Sequence, residues 1–88
     1  MTSNDVTLTH EAGLHARPAA LFVKAASRYS SSVTVRYGEK QANAKSIIQV
    51  LGLGARQGAT ITISADGADE AEAVAALSAL ASGDFGIE

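Results

Sequence analysis

One histidine of this 88-residue chain stands in a setting that suits phosphoryl chemistry. The residues around it are Gly13-Leu14-His15-Ala16-Arg17-Pro18-Ala19. Because Pro18 suits a first helical turn, we predict that a helix starts at Ala16–Pro18 and that His15 lies at its N-terminus. Unpaired backbone N–H groups converge there, which disfavours an imidazolium and favours an anion. A neutral imidazole could accept a phosphoryl group there, and the guanidinium of Arg17 suits phosphoryl oxygens.

A structural role fits the same spacing. His15 could be a loop residue that only caps the helix, with Arg17 as a solvated charge. In either case Gly13 allows a turn or a close approach of the backbone. A metal site has less support, because His10 and His15 are the only histidines and the chain has no cysteine. We therefore expect no metal and no cofactor, and we interpret His10, at the end of a polar strand face, as exposed and idle.

Residues 45–54 form a second group that could act in recognition. Their pattern predicts a short helix over 46–53, with Ser46 as N-cap and Gly54 after its end. Three apolar residues share one face of this helix, namely Ile47, Ile48 and Leu51. Since one core cannot absorb both faces of a two-turn helix, we expect an exposed apolar patch that binds partners. Ser46 is either only a cap or also a phosphorylation site, because a helix N-terminus tolerates a dianion.

Composition narrows the class of protein. The chain is 47% apolar with a mean hydropathy of +0.12, which excludes a disordered protein. Zero cysteines exclude disulfides and thiol chemistry and favour a reducing compartment. The first residues lack the basic and apolar regions of a signal peptide, and no apolar run approaches the roughly 20 residues that span a bilayer. We expect a cytoplasmic protein of one domain, residues 1–88, without membrane insertion.

Charge is divided unequally along the chain. Seven basic and three acidic residues precede residue 60, whereas six acidic residues and no basic residue follow it. Either two helices are simply solvated differently, or the surface is bipolar and its basic side meets an acidic partner. Nucleic acid is a poor candidate for that partner, because the pI is about 5.6 and only 5% of the residues are aromatic.

Two periodicities predict the framework that positions these residues. Four segments alternate apolar and polar residues, the third more weakly: 5–9, 33–37, 40–44 and 60–65. This alternation is typical of an antiparallel sheet covered on one face. Helical spacing over 16–28 and 69–82 predicts two longer helices beside the short one. The predicted fold is an α+β open-faced two-layer sandwich of order βαββαβα, with a four-stranded antiparallel sheet and three helices on one face.

With both groups of residues in view, the chain resembles the histidine-containing phosphocarrier (HPr) family of the bacterial phosphoenolpyruvate-dependent sugar phosphotransferase system. The resemblance covers essentially the whole chain. Residues 13–19 look like the active-site signature, and Lys45-Ser46-Ile47-Ile48 with Leu53-Gly54 looks like the regulatory-serine signature. The predicted sandwich is also the fold of that family. The resemblance implies a stoichiometric phosphoryl carrier rather than a turnover enzyme.

The resemblance also implies roles for single residues. His15 would receive the phosphoryl group on Nδ1 from the phosphohistidine of enzyme I, which phosphoenolpyruvate charges, and pass it to an enzyme IIA domain of a sugar permease. Arg17 would neutralise the group, and Pro18 would hold the helix start. Ser46 would be the site that HPr kinase/phosphorylase modifies in Gram-positive-type systems, with a catabolite-control transcription factor as a further partner. The residues implied to dock partners are Ile47, Ile48, Leu51, Lys24 and Arg56.

Three positions depart from the family pattern, namely Ala12, Ser27 and Ile48. Family members often carry a small polar residue at the first, a base at the second, and a larger Met or Phe at the third. Ala12 affects the hydrogen-bond pattern expected near the histidine, and Ser27 and Ile48 affect which partners the protein is expected to prefer. Two other functions stay open. The first is a regulatory paralogue, which uses His15 in a nitrogen-related branch or signals through Ser46 to a transcription factor. The second is an interaction module in which His15 is never phosphorylated. We expect a monomer.

Overall fold

The computed structural model describes residues 1–9, 13 and 16–83, and within them it contains four strands and three helices. The strands are β1 (Thr2–Thr7), β2 (Ser32–Tyr37), β3 (Lys40–Asn43) and β4 (Thr60–Asp66). The helices are α1 (Ala16–Ala26), α2 (Ile47–Gly52) and α3 (Glu70–Ser82). The predicted order βαββαβα is therefore confirmed. Three residues singled out in the sequence, His10, Ala12 and His15, lie outside the described residues.

The four strands form one antiparallel sheet in the order β1-β4-β2-β3. Alternate residues face the core, and those buried are Val6, Val33, Val35, Ala42, Ile61, Ile63 and Ala65. Many of the residues between them are threonine or serine, which leaves the opposite face polar. A slip of one residue in any pairing would bury that polar face, so the hydrophobic alternation specifies the register.

The helices cover the apolar face of this sheet, as predicted. Helix α3 packs on β1 and β4, while α2 packs on β3 and α1 packs on both other helices. Phe22 of α1, Val50 of α2 and Leu77 of α3 are fully buried. The helical spacing of the sequence predicts that Val23 of α1 and Leu80 of α3 also face the core, and both are partly buried against it.

Two contacts show how α1 and α2 lie relative to each other. The ammonium of Lys45, just before α2, donates to the carbonyl of Tyr29, just after α1, at 2.7 Å. At the other end, Gly13 precedes α1 and meets the backbone of Arg56, which follows α2. The two helices therefore run in roughly opposite directions. Helix α1, with 11 residues, is about 16 Å long.

A carboxylate ties the loop after α1 to the start of α3. Asp69 accepts hydrogen bonds from the backbone N–H groups of Ser30 at 2.9 Å and of Ser31 at 3.0 Å, and also from the Ser31 hydroxyl. The Ser31 hydroxyl contributes most and the Ser30 amide next to lowering the pKa of Asp69 from 3.8 to about 2. Asp69 is thus the N-cap residue of α3, but its side chain bonds the loop after α1 and makes no cap bond to its own helix.

We expect this carboxylate to make the fold sensitive to acid. A group whose pKa is lower in the folded chain stabilises the fold above its unfolded pKa of 3.8, and this stabilisation is lost as the pH falls toward the folded pKa of about 2. Asp69→Asn should therefore lower the free energy of unfolding at neutral pH and reduce its loss between about pH 5 and pH 2. Urea unfolding at several pH values measures both effects. Glu72→Gln, at an exposed position of the same helix, is the matched control; an equal acid response in wild type and Asp69→Asn would contradict the expectation.

Candidate functional site

Gly13, three residues before α1, lies directly against the segment that follows α2. Gly13 is buried and has φ +60°. A Cβ atom added to Gly13 would lie 2.6 Å from both the carbonyl oxygen of Ala55 and the Cα atom of Arg56. Those neighbours are backbone atoms that cannot rotate away, so only glycine fits at this position. The close approach considered in the sequence is confirmed, and its partner is the backbone of residues 55 and 56.

Hydrogen bonds join Leu8 and Thr9 to the same segment after α2. The carbonyl of Leu8 accepts from the N–H of Gly58 at 2.8 Å, and the N–H of Leu8 donates to the carbonyl of Ala59 at 2.8 Å. The side-chain amide of Gln57 donates to the carbonyl of Thr9 at 3.2 Å. Residues 55–59 therefore contact the chain both at residues 8–9 and at residue 13.

Helix α1 provides the other support of the candidate site. It begins at Ala16, which confirms the start predicted from Pro18. Pro18 is buried, whereas Arg17 is exposed. Covalent continuity places residue 15 immediately before the first helical residue, where the N–H groups of the first turn lack partners within the helix. The described residues thus supply a helix N-terminus and an exposed guanidinium beside the predicted histidine.

Ser46 caps α2 as predicted. Its backbone is extended, with φ −114° and ψ 111°, and its Oγ accepts from the N–H of Gln49 at 3.5 Å. The Gln49 side chain in turn accepts from the N–H of Asn43 at 2.9 Å. Sequence reasoning missed this second bond, although the Ser-x-x-Gln spacing is a recognised capping-box signal. The glutamine reaches the loop before the cap rather than the N–H of Ser46, so it fixes the entry into the helix.

The apolar residues of α2 divide as the sequence predicts. Val50 and Leu53 are buried in the core. Ile48 is 80% exposed, while Ile47 and Leu51 are 36% and 37% exposed. We call Ile47, Ile48 and Leu51 the apolar patch. Three large aliphatic side chains exposed on six helical residues form the kind of surface that commonly contacts another protein.

Lys24 and Arg56, the two basic residues that the family resemblance implies in docking, lie at different places around this patch. Arg56 is exposed and meets the backbone of Gly13, so it belongs to the end of the site where α1 begins. Lys24 is exposed in the last turn of α1, toward the end at which Ser46 starts α2. The structure therefore brings Arg56 against Gly13, two residues before His15 in the sequence, and places Lys24 in the last turn of α1.

The described part of the chain offers no candidate site for a metal ion and no candidate membrane span. It contains no cluster of three histidine, aspartate or glutamate residues that could hold a metal ion. None of its helices combines the length and the hydrophobicity that a bilayer crossing requires.

Comparison with known proteins decides which family carries this arrangement. A family model described as the phosphorylation site of the PTS HPr component matches residues 2–82. The chain belongs to the HPr family. It is a phosphocarrier protein of the phosphotransferase system of sugar transport, and it relays a phosphoryl group through a histidine. HPr membership implies enzyme I and enzyme IIA domains as its partners.

Individual relatives agree with this assignment. The phosphocarrier protein HPr of Haemophilus influenzae is 51% identical over 80 residues, which are 91% of this chain and 94% of that protein. The crystal structure of an HPr from Thermoanaerobacter tengcongensis superposes with a TM-score of 0.95 at 45% identity, covering 100% of this chain and 99% of that one. The catabolite repression protein Crh of Bacillus subtilis superposes with a TM-score of 0.76 at 39% identity, covering 96% of this chain and 97% of that one. The predicted fold is thereby confirmed as the HPr fold.

Proposed function

We propose that His15 is the histidine through which this HPr protein carries its phosphoryl group. The chain has only two histidines, and His15 is the one that directly precedes the first residue of α1. His10 lies five residues earlier, beyond the Gly13 contact, and has no helix N-terminus next to it in the sequence. The single observation that carries the proposal is this position of His15 between the Gly13 contact and the start of α1.

The proposed transfer is a displacement between two nitrogen atoms. The lone pair of the neutral His15 Nδ1 attacks the phosphorus of phosphohistidine on enzyme I, and a new N–P bond forms. The donor's N–P bond breaks, and its electron pair returns to the donor nitrogen. One N–P bond replaces another, so the step needs no oxidant, reductant or cofactor. Arg17 then faces the added negative charge with a guanidinium that can pair with two oxygens at once.

Direct mapping of the phosphoryl group tests this proposal. The full chain is incubated with enzyme I and phosphoenolpyruvate and then analysed by mass spectrometry at several pH values. We expect a gain of one phosphoryl group that is labile in acid and stable in base. Nitrogen-15 NMR of the imidazole should place that group on Nδ1 of His15. Phosphate on His10, or no uptake at all, would reject the proposal.

We further propose that the apolar patch is where enzyme I and enzyme IIA domains dock, with Lys24 and Arg56 at its margin. The patch lies on the helix next to α1, and the basic rim suits acidic partners. The protein would act in the cytoplasm as a monomer of one domain, residues 1–88. Ile48 is the most exposed of the three patch residues, so it is the one whose contact area a partner can cover most completely.

Ser46 supports a second function, namely control of the carrier. We propose that phosphorylation of Ser46 by an HPr kinase/phosphorylase regulates docking and allows binding to a catabolite-control transcription factor. Ser46 directly precedes the patch residue Ile47, and the similarity to Crh favours a link to catabolite repression. A phosphate there would add nearly two negative charges beside the patch residue Ile47. The added charge would therefore act on a partner docked at the patch.

We expect Ser46→Asp to slow phosphoryl transfer from enzyme I while leaving thermal stability nearly unchanged. Aspartate caps a helix about as well as serine, so the helix is preserved. Its charge places a repulsive group beside the apolar patch, and a penalty near 1.4 kcal/mol would slow transfer roughly tenfold. Transfer rates at low and high ionic strength and thermal unfolding measure the effects, and high salt should narrow the rate difference.

Ser46→Asn is the matched control for this expectation. Asparagine is also a good N-cap but carries no charge, so this variant should transfer at the wild-type rate. If Asn and Asp slow transfer equally, the serine hydroxyl rather than the charge matters. If Ser46→Asp transfers as fast as wild type at low salt, Ser46 is only a helix cap.

A further inference from the structure

A second arginine, Arg56, lies against Gly13, two residues before His15 in the sequence. The virtual Cβ of Gly13 is 2.6 Å from the Cα of Arg56, so the two Cα atoms are within roughly 4 Å, given bonds of about 1.5 Å. Residue 15 follows Gly13 by two peptide units, which span at most about 7.6 Å. The Cα atoms of His15 and Arg56 are therefore at most about 12 Å apart. An arginine side chain of about 7 Å and a phosphohistidine of about 6 Å can bridge that separation.

The charged side chains in the described segments around Gly13 and Arg56 are all positive. The described segments that meet here are residues 8–9, 13, 16–20 and 53–59, and their charged residues are Arg17 and Arg56. Both side chains are exposed. Two acidic residues, Glu11, which is four residues before His15 in the sequence, and Asp84, lie outside the described residues. A phosphoryl group brings nearly two negative charges at neutral pH, so a single guanidinium leaves part of that charge unpaired.

The backbone of Arg56 is held in place before any phosphoryl group arrives. Its neighbours Gln57 and Gly58 bond the carbonyls of Thr9 and Leu8, and its own Cα meets Gly13. Only the side chain must be ordered when it pairs with an anion, which limits the entropic cost. Arginine also remains charged at every physiological pH.

We propose that Arg56 is a second phosphoryl-neutralising cation of this carrier, acting with Arg17 on the group bound to His15. This inference rests on the proposed role of His15. This role differs from the docking role proposed for Arg56 above, because it requires Arg56 to act on the histidine when no partner is bound. Arg56 should lower the pKa of the His15 imidazole and stabilise the phosphorylated form relative to the free form.

Measurements on the isolated chain separate these roles. We expect Arg56→Ala to raise the pKa of His15, followed by NMR, by about half a pH unit or more. Arg56→Lys should restore most of that shift because it keeps the charge. Arg36→Ala, at an exposed arginine on β2, should leave the pKa unchanged. The equilibrium constant for phosphoryl transfer from phosphorylated enzyme I should be three- to tenfold lower for Arg56→Ala than for wild type.

Each outcome decides between the possibilities. Slower transfer by Arg56→Ala, with an unchanged His15 pKa and an unchanged phosphorylation equilibrium, would make Arg56 a docking charge only and overturn the inference. Equal shifts in Arg36→Ala would mean a general effect of net charge and would also overturn it. Failure of the wild-type chain to accept a phosphoryl group on His15 would instead reject the proposed function, whereas the pKa comparison would still report whether Arg56 faces His15.

Discussion

Replacing His15 with alanine is expected to abolish phosphoryl uptake from enzyme I. The imidazole is the only group proposed to form the N–P bond, and neither Arg17 nor a backbone group can replace it as a nucleophile. The variant should nevertheless fold, because the core consists of residues from the sheet and from the inner faces of the helices. Its free energy of unfolding should stay within about 1 kcal/mol of wild type.

His10→Ala is the matched control for this prediction. It removes the other histidine of the chain and should take up one phosphoryl group at the wild-type rate. Phosphate incorporation from phosphoenolpyruvate and enzyme I, followed by mass spectrometry, compares the two variants, and thermal unfolding verifies that both are folded. Uptake by His15→Ala, or its loss in His10→Ala, would contradict the assignment of His15.

The fold was largely predictable because its elements are amphipathic in simple ways. The alternation of Val33 and Val35 with polar neighbours indicates a strand covered on one face, and Ile61 and Ile63 repeat it. The start of α1 was predictable because Pro18 restricts the backbone before it. These signals are local: they depend on residues within one element, which a sequence displays directly.

The contacts between elements were not predictable in the same way. Asp69 is positioned like any acidic residue at the start of a helix, yet it accepts three hydrogen bonds from residues 30 and 31 on another loop. Arg56 is similar, since nothing in the sequence indicates that its backbone meets Gly13. Such pairs depend on how packed elements orient their loops, and no periodicity along the chain records that. The exposed face of α2 was predictable only because a two-turn helix carried more apolar residues than one core could cover.

Gly13 joins the fold to the site, and Gly13→Ala is expected to be the most destabilising of the substitutions considered. Alanine would take a positive φ, which costs about 1–2 kcal/mol, and its methyl group would lie 2.6 Å from backbone atoms that must then move. Overpacking of this kind adds about 1–3 kcal/mol. A loss of about 2–5 kcal/mol would lower Tm by about 8 °C or more in a domain of this size.

Gly38→Ala separates the two causes. Gly38 has φ +61°, nearly the same as Gly13, but an added Cβ there would meet nothing within 4 Å. The variant therefore carries the backbone strain without the collision, and the difference in Tm between the two variants measures the contact with Ala55 and Arg56. If Gly13→Ala moves the loop away from Arg56, the pKa of His15 should also rise, as in Arg56→Ala, whereas Gly38→Ala should leave it unchanged. Equal destabilisation by both substitutions would mean that the backbone at Gly13 and Arg56 can move apart without a loss of free energy of unfolding. The phosphoryl site would then lack the rigid support that this contact is expected to give.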